Sequence, residues 1–124
     1  MSDFDRLQGR WRQVASSIDG APETAAPIGD EFAGALTAVF AADTFRVLDP
    51  DGATVLEGRF LLEEAARAID WIDSVGPDAG NRLPALYELG ATTLAFAVAD
   101  SGMPRPTHVR AAPGITFRRC VRDA

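Results

Sequence analysis

The stretch LTAVFAADTFRVLDPDGATVLEGRFLL, residues 36–62, holds three short runs rich in β-branched and aromatic residues, separated by two sets of turn residues. The runs 36–41, 44–48 and 53–62 read as strands, with Ala42-Asp43 and Asp49-Pro50-Asp51-Gly52 as the turns between them. Asp, Pro and Gly supply the dihedral angles and local hydrogen bonds that tight turns require. Connections this short set consecutive strands antiparallel and side by side.

The same punctuation recurs outward in both directions: Asp19-Gly20, Gly76-Pro77-Asp78-Ala79-Gly80, Gly90, Ser101-Gly102 with Pro104 and Pro106, and Pro113-Gly114. Further strands are predicted over 8–18, 68–74, 84–89, 92–99 and 115–121, making eight. Dividing 124 residues by eight leaves about 15 for each strand and its turn, the economy of a meander with short hairpins. An open sheet of that size would present edges to other chains, and closure removes them. The expected fold is therefore all-β: a single domain over residues 1–124 forming an eight-stranded antiparallel up-and-down barrel.

Alternation is clearest in the last strand, where Ile115, Phe117, Arg119 and Val121 share one face and Thr116, Arg118, Cys120 and Arg122 the other. In the seventh, Leu94, Phe96 and Val98 oppose three alanines. In the fourth, Leu56, Gly58, Phe60 and Leu62 oppose Val55, Glu57, Arg59 and Leu61, and Gly58 marks a bend or a close backbone approach. Two segments depart from the strand pattern. Residues 21–35 form the longest connection, with a short helical turn expected around Gly29–Ala33, placed to cover one barrel end. Residues 63–67 are good helix formers but too few for a stable helix, and read as a loop or single turn.

Composition narrows the chemistry. All 12 basic residues are Arg, against 18 Asp+Glu, for a formal net charge of -6. The absence of Lys excludes Schiff-base catalysis and any lysine nucleophile. The acidic balance argues against wrapping a phosphate backbone, and Arg118, Arg119 and Arg122 read as a strand face rather than a nucleic-acid site. Cys120 is the sole cysteine, so neither an intrachain disulfide nor a cysteine-built zinc site is available. The start Met1-Ser2-Asp3-Phe4-Asp5-Arg6 lacks the basic opening and apolar run of a signal peptide, and no stretch approaches a membrane span. A cytoplasmic location is the expectation.

Leu7-Gln8-Gly9-Arg10-Trp11, Asp43-Thr44-Phe45, Leu56-Glu57-Gly58, Ala68-Ile69-Asp70, Tyr87-Glu88-Leu89, Thr93-Leu94 and Arg105-Pro106-Thr107 follow the order and rough spacing of a bacterial lipocalin-like domain family abundant in planctomycetes. The chain resembles that family along nearly all its length. The resemblance implies a calycin-type barrel with no known catalytic residues, and recurrent positions at Trp11 and Arg105. It also implies that the Gly-x-Trp opening strand one closes the barrel floor, its indole stacked against an arginine of the last strand. Arg119, or its neighbour Arg118, stands as that arginine, a stack that contributes about 0.5–2 kcal/mol. His108 departs from the family pattern, which favours an acidic residue followed by Phe.

Candidate chemistry is sparse. His108, the lone histidine, follows a Pro-rich turn without a visible partner for acid–base work. Cys120 lacks a neighbouring base. Glu57 and Arg59 are either a surface ion pair or, facing inward, the polar anchor of a cavity. Tyr87 either directs its hydroxyl at a ligand carbonyl or packs with a satisfied OH. Asp70 and Asp73 lie on opposite faces and do not form a carboxylate pair. Arg105 sits in a loop expected near a barrel mouth, where bracing of the loop is favoured over binding a carboxylate. No Gly-rich phosphate loop, paired metal-ligand spacing or nucleophile elbow occurs, so no metal or cofactor is expected.

A barrel of eight strands holds one small ligand or fills with side chains. The leading expectation is binding of a small, largely apolar molecule in a cavity lined by Phe40, Phe45, Phe60, Leu94, Phe96, Ile115 and Phe117. The alternative is a cofactor-independent cyclase or isomerase of secondary metabolism that works by positioning, with Tyr87, Glu57, Arg59 or His108 polarising the substrate. A third reading is a filled barrel serving as an interaction module, dimeric through an exposed strand face.

Overall fold

A computed structural model describes residues 2–20, 24–25, 36–76 and 79–123. A short helix, α1 (Asp3–Leu7), precedes nine strands: β1 (Gly9–Ile18), β2 (Thr24–Ala25), β3 (Thr37–Ala41), β4 (Thr44–Leu48), β5 (Thr54–Glu63), β6 (Ala68–Val75), β7 (Arg82–Leu89), β8 (Thr93–Ala99) and β9 (Ile115–Arg122). A 3-10 turn, Glu64–Ala66, links β5 to β6 where a loop or single turn was expected. The helical turn expected around Gly29–Ala33 lies outside the described residues.

Every neighbouring pair is antiparallel, and the order is sequential from β3 to β9. The sheet closes because β1 is shared. Gly9–Arg12 pair with β3, while Trp11–Ile18 pair with β9. The result is the expected eight-stranded up-and-down barrel, built from β1 and β3–β9, with the two-residue β2 laid alongside β1 at Ala15 and Ser16. No helix among the described residues is long and apolar enough to cross a membrane.

Bulges set which side chains face in. The β1–β9 register shifts between Gln13 and Ala15, so inward positions pass from Trp11 and Gln13 to Ser16 and Ile18. A second shift falls between Glu57 and Gly58 against β6. There the strands crowd: a Cβ at Gly58 would overlap the Ile72 carbonyl and sit 2.9 Å from the Asp73 Cα. Gly58 is the close backbone approach that its place in the alternation implied.

One end of the barrel is plugged. Ser2 caps α1, its Oγ accepting from the Asp5 N–H at 3.1 Å, and the helix lies across the floor. Gln8 ties the helix end to the β3–β4 turn, its Oε1 accepting from Ala42 N at 2.6 Å and its Nε2 donating to Ala42 O at 3.0 Å. Trp11 is 0% exposed and donates from Nε1 to Leu7 O at 2.9 Å. Above it Phe60 packs against Phe4 and edge-on against Phe40.

The outer wall also carries a buried layer. Phe117, Ala95 and Ala97 face away from the lumen yet are buried beneath Val109 and Ala111, from the long connection 100–114. Arg105 of that connection donates to Ala85 O at 2.8 Å and meets Asp70 Oδ1 at 2.7 Å, and Arg82 grips Asp70 Oδ2.

Candidate functional site

Above the plug the barrel encloses a cavity of about 430 Å³, inside the range of roughly 300–1,000 Å³ typical of small-molecule sites. Its apolar wall comes from the inward positions of six strands. Ala38 and Phe40 stand on β3, Phe45 and Val47 on β4, Leu56 on β5, Trp71 on β6, Leu83 on β7, and Phe96 and Val98 on β8. Phe40 and Phe45 are register partners across a two-residue turn. Trp71 is the hub: its ring centroid lies 4.9 Å from Phe45 and 5.3 Å from Phe96. Its indole N–H is buried without a hydrogen-bond acceptor among the described residues. Ile18 and Asp100, both exposed, line its upper edge.

Polar groups enter this chamber at few places. Gln13 on β1 and Thr116 and Arg118 on β9 form one stretch of wall, and Asp73 enters from β6. Arg118 Nη1 donates to Gln13 Oε1 at 2.6 Å. Cys120 lies further down the same side of β9, its thiol pushed up to about 12 by burial, with Arg118 opposing in part. It is therefore a neutral thiol at physiological pH, not a nucleophile. Among the described residues, no three of His, Cys, Asp and Glu are grouped to hold a metal ion.

Of the seven residues expected to line the cavity, Phe40, Phe45 and Phe96 do so. Phe60 and Leu94 point inward but belong to the packed core below it. Ile115 and Phe117 require correction. They face outward, and the inward face of β9 is the one bearing Thr116, Arg118, Cys120 and Arg122. The apolar face of β9 is buried, but by the 100–114 connection outside the barrel.

That phase also reassigns the closing arginine. Arg122, not Arg119, lies over the Trp11 ring, 3.9 Å from its centroid, and donates from Nη1 to Gln8 O at 2.7 Å and from Nη2 to Arg6 O. Arg119 is exposed on the outer face, 5.1 Å from the Phe117 ring.

The four residues weighed for catalysis stand elsewhere. Glu57 and Arg59 face out, and Arg59 pairs with the exposed Asp43 at 2.6 Å, holding that carboxyl below its usual value chiefly through the hydrogen bond. Tyr87 points down to the plug, where its hydroxyl donates to Asp3 Oδ2 at 2.7 Å. Burial first, and the Asp3 carboxylate second, raise its pKa above the ordinary phenol value. His108 is exposed on the outer connection, its Nδ1 3.0 Å from Thr107 Oγ1. Arg105 lies on the outer wall rather than at a mouth, and its contacts are those of a brace.

Sequence reasoning passed over Gln13, Asp73 and Arg118 as cavity residues. The available signal was face-sharing: Arg118 sits with Cys120 and Arg122 opposite the apolar face of β9. Together the fold and this chamber define a class, the closed eight-stranded barrel with an internal, mainly apolar cavity. Comparison with family models, curated proteins and solved structures finds no match to the chain.

Proposed function

We propose that this protein binds a small, largely apolar ligand inside a lipocalin-like barrel. The observation that carries the reading is the cavity itself. It is sealed at the floor by Trp11 and Arg122, walled by Phe40, Phe45, Trp71 and Phe96, and supplied with polar groups at a few fixed places. Such a chamber rewards burial of an apolar body at roughly 25 cal/mol per Å², while the sparse polar groups fix its orientation. The filled-barrel reading has the open volume against it. The cyclase reading keeps one support, the presence of Arg118 and Asp73 in the same apolar chamber, where opposite charges can polarise a positioned substrate.

The test is titration with Nile red followed by its emission. Saturable one-to-one binding is expected for the wild type, with loss in Ala38→Phe or Val47→Trp, each of which places a ring in the lumen. No binding by the wild-type protein, or equal binding by both variants, would overturn the proposal. Recovery of a bound compound unchanged favours carriage, and its conversion favours the cyclase.

A further inference from the structure

We infer that the ligand carries a neutral carbonyl group, which accepts a hydrogen bond from the indole N–H of Trp71 at the base of the chamber. This rests on the cavity being a binding chamber and adds the chemical class of the molecule that enters it, an apolar ester or ketone.

Trp71 stands where the chamber meets the packed core beneath it. It is mid-strand on β6, with Phe60 on β5 and Leu83 on β7 as its register partners. Four phenyl rings surround its indole: Phe45 at 4.9 Å, Phe96 at 5.3 Å, Phe40 at 5.9 Å and Phe60 at 6.2 Å between centroids. Phe40, Phe45 and Phe96 line the chamber with Trp71, while Phe60 belongs to the core below. The indole therefore lies within the lumen. It is 6% exposed, and its Nε1 is buried with no hydrogen-bond partner among the described residues. The chain's other indole shows the contrast, since Trp11 in the floor donates to Leu7 O at 2.9 Å.

A buried indole N–H ordinarily finds an acceptor, and one left without calls for a group that arrives from elsewhere. In a binding chamber that group is part of the ligand, and the surroundings fix its kind. Water at this place needs about two to four polar partners, and the four phenyl rings offer none. A carboxylate would exchange its hydration for a single neutral donor among those rings, a heavy desolvation loss. A hydroxyl would bring a hydrogen of its own into the same apolar nest. An ester or ketone oxygen brings only lone pairs, so one bond from Nε1 satisfies both sides. The rings beside the N–H are held by dispersion contacts, so a carbonyl oxygen breaks no hydrogen bond in reaching it. With the carbonyl at Trp71, the hydrocarbon part of the ligand runs along Phe40, Phe45 and Phe96 toward Ala38, Val47 and Val98.

Methyl decanoate, dodecane and decanoate at neutral pH provide the test, since they are of similar length and carry a neutral carbonyl, none, or a charged carboxylate. Each is followed by displacement of Nile red and by the indole N–H signals in a proton–nitrogen correlation spectrum. Methyl decanoate is expected to move the Trp71 signal downfield, as a new hydrogen bond does, and dodecane to leave it without that shift. The Trp11 signal, already hydrogen-bonded, is the internal standard and should stay in place. Decanoate should bind more weakly than its ester. Trp71→Phe keeps a ring but loses the N–H, and should weaken methyl decanoate about tenfold more than dodecane, the effect of one hydrogen bond to a buried donor. The wild-type spectra decide the matter even where the variant does not fold. Bound methyl decanoate without a downfield shift of Trp71, equal losses for the two probes in Trp71→Phe, or tighter binding of decanoate than of its ester overturns the inference. In each case Nile red still binds, so the chamber stands as a binding site. Failure of Nile red as well overturns the functional reading along with the carbonyl.

Discussion

The guanidinium of Arg122 lies 3.9 Å from the centroid of the Trp11 ring, and the two residues are register partners across the β1–β9 seam that closes the barrel. One side chain thus stacks on the buried indole and, through two N–H groups, satisfies the carbonyls of Arg6 and Gln8 where the chain leaves α1. Removing it forfeits the stack, about 0.5–2 kcal/mol, and leaves those carbonyls short of a donor, about 1 kcal/mol or more. Arg122→Ala is expected to lower unfolding free energy by about 2–3 kcal/mol in urea titration. Arg119→Ala, on the exposed face, should cost under about 1 kcal/mol. Equal effects would return the closing role to Arg119.

The phase of β9 makes a second separation measurable. Phe117 is 2% exposed, but its ring packs under Val109 and Ala111 outside the lumen. Phe96 is also buried, and it lines the cavity. Phe117→Ala should destabilise the protein by about 3–5 kcal/mol, as expected for a large core truncation, while leaving the Nile red affinity of the folded protein within about twofold. Phe96→Ala should both destabilise and change affinity. Parallel denaturation and binding curves on the two variants check the contrast.

That pair of phenylalanines also shows where the sequence was legible and where it was not. Strand positions followed from local signals, turn residues at short intervals and alternation between them, and all eight barrel strands fall within a few residues of where those signals put them. Alternation says that the two faces of a strand differ; it does not say which one looks inward. On β8 the apolar face is the inner one. On β9 it is the outer one, because the 100–114 connection supplies a second apolar layer that a single-barrel reading does not anticipate. Gln13 and Arg118 stayed hidden for the same reason, as polar residues in a lumen assumed to be apolar. Sites of this kind break the local rule that the rest of the fold obeys. The five-residue α1 is too short to leave a helical period, although Ser2 ahead of Asp3 and Asp5 is the capping signal that marks it.

The buried thiol of Cys120 gives the protein an alkaline weakness with a definite sign. Its folded-state value is pushed up to about 12 from an ordinary 9.0, because burial penalises the thiolate. The folded state therefore resists losing a proton that the unfolded chain gives up readily. The stability this contributes is fully present below pH 9 and is lost as pH rises toward 12. Tyr87, also raised, adds to the loss at higher pH. Unfolding free energy should fall above pH 9 in the wild type and fall less steeply in Cys120→Ala. A thiol reagent such as DTNB should label Cys120 slowly in the native protein and rapidly in urea. Identical alkaline limbs in the two proteins would show that the thiol does not titrate this way.

Asp70 gives the opposite sign at the acid end. It is 7% exposed on the outer wall, bridging Arg82 of β7 and Arg105 of the 100–114 connection. Burial pushes its pKa upward, and the two guanidiniums outweigh that, leaving the carboxyl below its ordinary 3.8. With the folded value depressed, its contribution is present above about pH 4 and is lost as pH falls through the lower folded value. Asp70→Asn should cost about 1–3 kcal/mol at neutral pH, since it leaves two cations facing a neutral amide, and the cost should shrink below pH 4. Arg105→Ala should release the connection from the wall more than it weakens the barrel. Limited proteolysis is then expected to cut within 100–114 at a rate several times that of the wild type, with the strands intact by circular dichroism. Unchanged cleavage would mean that Val109 and Ala111 hold the connection without the brace.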